Sequence, residues 1–432
     1  MAFKIGLLGL GTVGTGTANI LFNPEGRHPL IQDITITQIG VKSLEKKRNL
    51  ELPSEMLTSD LDAIVTNPDI DIIVELIGGL EPARSLILKA IAHGKHVVTA
   101  NKAVMARFGP EIYTAANEAK VYVLLEAAVG GGIPIVEPLK QSLGANRFEN
   151  IIGIVNGTTN YILTQMTQNG VDFEDVLKEA QALGYAEADP TADVGGLDAA
   201  YKIAILTSLA FGGKINREDV YCEGITKITS SDISYAEKLG FVIKLLAIAH
   251  KVPKSNPEIL QLRVHPTFVP KSHPLANING VNNAILVEGQ PLGQVMFYGP
   301  GAGAGPTASA VVADIMNIVA VLHSGKKAES LDPLLSSSPQ HYCQVSSIDD
   351  VYSRFYARFL CADVPGVIGH LGTTFGEFEV SLESVVQIGF QGDFAEIVVV
   401  THQVREGNFR NAIKEIRSLN AIKNIPSIVR VL

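Results

Sequence analysis

The chain reads as an α/β protein in three parts: a doubly wound parallel sheet, an α+β domain, and a small ferredoxin-like module at the C-terminal end. Three observations predict this. Up to about residue 130, short apolar runs alternate with helix-like segments; beyond Gly130-Gly131-Gly132 longer helices dominate; from about residue 352 the elements follow the order strand, helix, strand, strand, helix, strand. At 432 residues the chain exceeds one ordinary core, so several domains are expected.

In the first part, Phe3–Leu8, Ile34–Val41, Ile72–Ile77, His96–Thr99 and Val121–Leu125 are apolar enough for strands buried on both faces. Pro82–His93 lies between two of them as a helix, with Pro at its start and Gly94 just past its end. This domain spans 1–130 and is completed by a late helix at about 306–322, which the loop Gly299–Gly305 opens. The middle domain, 131–305, carries predicted helices Asp172–Leu183, Leu197–Phe211 and Ser231–His250, with strands at Asn150–Val155, Ile259–Val264, Ala284–Val287 and Gln294–Tyr298. Residues 324–351 are rich in Ser, Pro, Gln and Lys and read as a linker to the module 352–432.

Composition excludes several classes. A net charge of −9 argues against nucleic-acid binding, which rests on Lys and Arg neutralising phosphates. Cys222, Cys343 and Cys361 are far apart in sequence and form no C-x-x-C, so neither a disulfide framework nor a zinc site is expected, and a reducing cytoplasm is the simplest compartment. No run of about 18 uninterrupted apolar residues suggests a membrane span. The apolar N-terminus is broken by glycines, carries one Lys and has no cleavage site, so it does not read as a signal peptide. The histidines show no metal-ligand spacing, and no Ser/His/Asp or Cys/His arrangement stands out.

Gly9-Leu-Gly11-Thr12-Val13-Gly14 follows the first strand and opens a helix. In that context the first glycine permits the tight turn, the second admits a pyrophosphate, and the third lets helix pack on strand. N–H groups at the helix start, with the helix dipole, favour the diphosphate. An NAD-selective site usually has Asp or Glu at the end of the second strand; here the segment is Ile39-Gly-Val-Lys42-Ser-Leu-Glu45-Lys46-Lys47-Arg48. Its cations suit the 2′-phosphate of NADP, but a solvated basic loop is the other reading, so NADP is favoured and NAD stays open.

Two further segments carry chemistry. Thr99-Ala-Asn-Lys102 follows a strand and so belongs at the carboxyl edge of the sheet, where ligands sit. In Leu183–Lys202, four carboxylates (Glu187, Asp189, Asp193, Asp198) gather around glycines, and Asp198 and Lys202 share one helix face. The rest of that helix is apolar nearly all round, so the charged pair must meet a polar cavity or bear a large desolvation cost. A lysine so placed can donate a proton to a forming alkoxide; a buried ion pair that only fixes the helix is the alternative.

Together Gly9–Gly16, Thr99–Lys102, Glu126–Pro134, Asn156–Asn160, Gly184–Lys202 and Tyr298–Asp314 resemble the homoserine dehydrogenases over nearly the whole chain. The resemblance implies reversible NAD(P)H-dependent reduction of L-aspartate 4-semialdehyde to L-homoserine, in threonine, methionine and isoleucine biosynthesis. It implies Lys202 as proton donor, Lys102 beside nicotinamide and substrate, and Glu187, Asp193 and Asp198 as substrate contacts. It also implies backbone contacts to the cofactor at Gly184 and Gly303, and a monovalent cation such as Na+ held by oxygens of Glu126, Val129, Gly131 and Ile133. A hinge between domains is the other reading of that last segment.

Ala362-Asp363-Val-Pro-Gly366-Val-Ile-Gly369 sets an acidic residue and Pro-Gly before a helix and is similar to the amino-acid-binding ACT domain. That similarity implies an amino-acid effector, with threonine expected, and a homodimer or homotetramer whose module edges are covered by pairing; a purely structural module is the alternative. No aspartokinase segment precedes Phe3, so the monofunctional form is expected. Two competing functions are another oxidoreductase acting on a sugar or an amino-acid aldehyde, and a non-enzymatic amino-acid sensor.

Overall fold

The computed structural model describes residues 2–48, 50–255, 258–323, 331–337 and 341–432. Of the expected linker, 324–330 and 338–340 lie outside the described residues. The chain forms two compact units: Met1–Ile151 with Tyr201–Asp219 and Asn282–Cys343, and Ile152–Ala200 with Val220–Val281 and Gln344–Leu432.

In the first unit, strands β1 (Phe3–Leu8), β2 (Ile34–Gly40), β3 (Leu57–Thr58), β4 (Ile72–Glu75), β5 (His96–Thr99) and β6 (Val123–Leu124) form one sheet in the order β3-β2-β1-β4-β5-β6. Every pairing within it is parallel. Parallel neighbours need crossovers, and four helices stand between these strands: α1 (Thr12–Phe22), α2 (Leu61–Thr66), α3 (Ala83–Ala92) and α4 (Lys102–Ala119). The strand order reverses between β1 and β4, the switch point where ligands bind in such sheets. The five sequence-predicted strands are present, and β3, two residues long, is additional.

The helix Ala304–His323 joins the same core: Val311, Ile315 and Ile318 are buried in one cluster with Ile5, Leu7, Val74 and Val98 of the sheet. By length and hydropathy it is the one described helix able to cross a membrane. Half of its apolar window is buried, Asp314 in its middle is fully buried, and Gly16 of α1 packs against it, so it is accounted for as a core helix.

The second unit holds a sheet in the order Phe241–Lys251, Ile259–Pro270, Ile422–Val431, Tyr352–Ala362, Phe394–Thr401 and Leu382–Gln391. Its last four strands, with helices Val367–Glu377 and Glu406–Ile416, make the expected ferredoxin-like βαββαβ module. The module's sheet continues past its own border, because Thr267 and Phe268 pair in parallel with Arg430 and Val431. One module edge is thereby covered within the chain; the other, Leu382–Gln391, leaves Val386 and Phe390 exposed.

One element differs from expectation. The single helix read at Ser231–His250 is a helix, Ser230–Lys238, followed by a strand, Phe241–Lys251. Gly240, at φ +84°, breaks the helix. The run Val-Ile-Lys-Leu-Leu-Ala-Ile-Ala is apolar at nearly every position, a pattern that a buried strand and a buried helix share.

The approach of α1 to the helix Ala304–His323 yields a stability prediction. A Cβ on Gly16 would lie 2.6 Å from the Ala304 carbonyl oxygen and 2.9 Å from Ala308 Cβ. Gly16→Val should therefore lower stability by about 1–3 kcal/mol, the usual cost of overpacking, read as a fall in the thermal unfolding midpoint. An unchanged midpoint would refute this packing.

Candidate active site

The nucleotide loop lies at the switch point of the parallel sheet. Gly9 has φ +102° and donates its N–H to the Gly40 carbonyl at 2.9 Å, which turns the chain sharply off β1. A Cβ on Gly14 would lie 2.2 Å from the Gly9 carbonyl oxygen, so only glycine lets α1 start this close to the strand. Gly11, at the N-cap of α1, is exposed with nothing within 4 Å of where a Cβ would stand. Thr12 and Val13 form the first turn, and no side chain caps their N–H groups. The open helix start is suited to an anion.

Beyond β2, Lys42, Lys46 and Lys47 are exposed. Arg48 is turned back on its own loop, donating to the carbonyls of Leu44, Lys46 and Ser43. No carboxylate stands at the end of β2, which closes on Gly40 and Val41.

Lys102 is the first residue of α4 and half-buried. A network absent from the sequence reading sets its position. Thr99 Oγ1 donates to Glu75 Oε2 at 2.6 Å, while Glu75 Oε1 accepts the N–H groups of Ile77 and Gly78 at 2.9 and 3.3 Å. Thr99 Oγ1 in turn accepts the Asn101 N–H at 3.0 Å. Asn101 caps α4 through the Val104 N–H and donates its amide to Gly79 O at 2.8 Å. Glu75, Thr99 and Asn101 are all buried.

In the second unit the acidic segment folds as a one-turn helix, Thr191–Val194, before the helix Leu197–Phe211. Asn156, the N-cap of the helix Gly157–Asn169, bridges two of the predicted carboxylates. Its Nδ2 donates to Asp193 Oδ1 at 2.7 Å and to Asp198 Oδ2 at 2.9 Å. Its Oδ1 accepts from the Thr159 N–H and hydroxyl, each at 2.9 Å. Asn156 opens the segment Asn156–Asn160 that carries the family resemblance, but neither spacing nor periodicity assigns it this task. Glu187 is exposed, and its backbone carbonyl accepts from Gln181 at 3.1 Å. Asp189 is also exposed and is bonded to Thr191. Gly184, exposed at φ +75°, follows the helix Phe173–Ala182.

The helix Leu197–Phe211 carries Asp198 and Lys202 one turn apart, with 6% and 9% of their surfaces exposed. Around them Ala199, Ala200, Ile203, Ala204 and Leu206 are buried. Little of either residue's surface reaches bulk solvent.

Residues 126–133 make a buried turn in the first unit. The Glu126 carboxylate accepts N–H groups from Ile135, Val136 and Glu137 at 2.6, 2.8 and 2.7 Å. Its own N–H goes to Asp314 at 2.8 Å. Burial pushes the Glu126 carboxyl up against the pull of those three bonds, and holds Asp314 well above the usual carboxylate range. With its side chain so committed, Glu126 can offer a cation only its carbonyl. The carbonyls of Val129, Gly131 and Ile133 accept no hydrogen bond among the described residues, although Val129 and Ile133 are fully buried. Gly130 and Gly131, both at positive φ, bend the turn. Gly303, at φ +116°, precedes the helix Ala304–His323.

Known proteins match these parts in order. Residues 9–126 match the homoserine dehydrogenase NAD-binding domain, 134–316 the homoserine dehydrogenase family and 355–421 the ACT domain, a module type that takes amino-acid effectors. The homoserine dehydrogenase of Synechocystis sp. is 67% identical, with both chains covered completely. That of Bacillus subtilis is 40% identical over 100% of this chain and 98% of its own. The crystal structure of the enzyme from Thiobacillus denitrificans superposes with a TM-score of 0.92 at 41% identity, covering 100% of this chain and 98% of that one. A hyperthermophilic archaeal homoserine dehydrogenase in complex with NADPH covers 77% of this chain and 100% of its own, with a TM-score of 0.62 at 26% identity. These likenesses favour neither a different oxidoreductase nor a non-enzymatic sensor. The chain belongs to the homoserine dehydrogenases, NAD(P)-dependent oxidoreductases that reduce aspartate 4-semialdehyde to homoserine.

Proposed function

We propose that Lys202 gives the proton to the aldehyde oxygen as the alcohol forms and takes it back in the reverse direction. The observation that carries this is a buried lysine one helical turn after a buried aspartate, in a helix otherwise apolar. An ammonium held out of bulk water is poised for proton transfer to a developing alkoxide. Lys102, at the start of α4, faces nicotinamide and substrate in this reading. Asp193 and Asp198, aligned by Asn156, hold the substrate ammonium with Glu187. A bound nicotinamide dinucleotide supplies the hydride; the protein's part is to orient the aldehyde and manage one proton.

The cofactor is held by Gly9, Gly11, Thr12, Val13 and Gly14 at its diphosphate, with backbone contacts from Gly184 and Gly303. Lys42 at the end of β2, with Lys46 and Lys47 nearby and no acidic residue closing the strand, supports NADP as the preferred form. Buried carbonyls normally find a partner, so the unclaimed oxygens of Val129, Gly131 and Ile133, beside the Glu126 carbonyl that takes the Val129 N–H at 3.4 Å, support a bound monovalent cation such as Na+. The nucleotide domain in this reading is 1–130 completed by 306–322, the substrate and dimerisation domain is 131–305, and 324–351 links them to the ACT module 352–432. The loop Ala362–Gly369, which brings Gly366 at φ +93° to the start of a helix, takes an amino-acid effector, threonine in this proposal. A homodimer or homotetramer would cover the exposed Leu382–Gln391 edge. Cys222, Cys343 and Cys361, far apart in sequence and without a C-x-x-C, fit a reducing cytoplasm.

Three measurements test this reading. Lys202→Ala should lower kcat by about 10²–10⁴ in the 340 nm assay with homoserine, while NADPH affinity by fluorescence titration stays unchanged; normal turnover would exclude the proton role. Asn156→Ala strips two carboxylates of their shared donor, and a lost hydrogen bond to a charged group is worth about 1.5–3 kcal/mol. The KM for homoserine should rise at least tenfold with NADP+ affinity intact; an unmoved KM would remove Asp193 and Asp198 from the substrate site. Lys42→Ala combined with Lys46→Ala should raise the KM for NADPH about tenfold, the scale of one charge-assisted phosphate contact, and leave that for NADH alone. An equal effect on both would exclude 2′-phosphate recognition.

A further inference from the structure

Besides the helix-opening loop of the ACT module, the second unit contains a cleft of about 480 Å³, within the range of small-molecule sites. One wall is the module's helix Glu406–Ile416 and its following strand; the other is the segment Tyr221–Ile228. Five cationic side chains line it against two carboxylates, a local excess of positive charge in a chain whose net charge is −9.

The two carboxylates are already engaged. Buried Arg430 takes Glu223 at 2.9 Å and binds Glu406 through Nε at 3.0 Å, while Arg410 also binds Glu406 at 3.0 Å. The three remaining cations, Lys227, Lys414 and Arg417, are exposed, and none has a carboxylate partner among the described residues. Three unneutralised cations around a concave site with low-dielectric walls focus a positive potential on it.

The wall opposite the helix leads to the substrate carboxylates. Ile225 donates its N–H to Val194 O at 2.8 Å, and Cys222 Sγ donates to Gly195 O at 3.3 Å. Gly224 lies so close that a Cβ there would stand 2.1 Å from Val194 O and 2.6 Å from Gly195 Cα. The cleft wall and the turn that follows Asp193 are therefore in direct backbone contact, with no side chain between them to absorb a shift.

We propose that this cleft binds a small polyanion, a phosphate ester or a di- or tricarboxylate, and that the bound anion is felt at the Asp193–Gly196 turn as a changed affinity for substrate. An anion spanning Lys227 on one wall and Lys414 and Arg417 on the other draws the walls together, and Gly224 carries the movement to Val194 and Gly195. The binding half stands on the cleft alone; the coupling half rests on the reading of Asp193 and Asp198 as substrate contacts.

The test uses the full chain with saturating NADP+, so that the nucleotide site is filled, at constant ionic strength. Calorimetric titration with inorganic pyrophosphate in one arm and citrate in the other should give one saturable site per chain, and the tighter arm distinguishes phosphate from carboxylate chemistry. Lys414→Ala combined with Arg417→Ala should weaken that binding at least tenfold, with basal kcat and the thermal midpoint unchanged because both side chains are exposed. Lys227→Ala, on the other wall, should weaken it separately. At saturating anion the KM for homoserine should change at least twofold in the wild type and not in the double variant. No saturable binding in either arm, or equal binding by the double variant, overturns the site. Binding that leaves the KM unmoved overturns the coupling. Because binding is read by heat and not by turnover, its failure is distinguishable from failure of the Lys202 assignment.

Discussion

Much of the candidate site depends on one amide. Asp198 is buried and Asp193 half-buried, and carboxylates drawn away from water need donors to remain in place. Asn156 has two N–H bonds to give and gives one to each carboxylate. Its oxygen is claimed by Thr159, so turning the amide over would set a carbonyl against two carboxylates and lose both Thr159 bonds. The orientation is thereby locked. Because Asp198 lies in the first turn of the helix Leu197–Phe211, fixing it also fixes the helical face on which Lys202 emerges one turn later.

The same logic recurs in the nucleotide half. Glu75, at the end of β4, has no exposed surface, and its two oxygens are satisfied by two backbone N–H groups and the Thr99 hydroxyl. That hydroxyl passes the constraint to Asn101, which caps α4. Lys102 is the next residue, so its backbone position follows from a chain of hydrogen bonds. In both halves a helix cap that serves local folding also positions a lysine.

What the sequence made legible follows from this. The helix Leu197–Phe211 was readable to the residue, since its apolar character and its glycine flank are local. The glycine loop was readable because strand, loop and helix are adjacent in the chain. Thr99, which Glu75 holds, and Asp193 and Asp198, which Asn156 holds, are 24 to 42 residues away, a separation that neither spacing nor periodicity registers. Glu126 shows the converse: its acidic character suggests a ligand, yet three backbone N–H groups occupy its carboxylate. The strand Phe241–Lys251 reads as helix in the sequence because an element buried on both faces loses the alternation that identifies strands.

The C-terminal module lies in the same compact unit as Asp193 and Asp198, and this determines where an effector can act. Its strand Ile422–Val431 is paired with Ile259–Pro270, and Arg358 is buried between Asp232 of the helix Ser230–Lys238 and Glu396 of the module, at 3.1 and 2.8 Å. Removing one partner of such a buried cluster costs about 3–5 kcal/mol, more than an ordinary ligand's differential affinity supplies. An effector therefore cannot work by detaching the module. It must act through small displacements inside a unit that stays whole, and such displacements reach furthest where backbone meets backbone without an intervening side chain. Gly224 against Val194 and Gly195 is such a contact, and it lies next to the turn that carries Asp193. Regulation routed this way would alter how substrate is held before it altered how the dinucleotide is held.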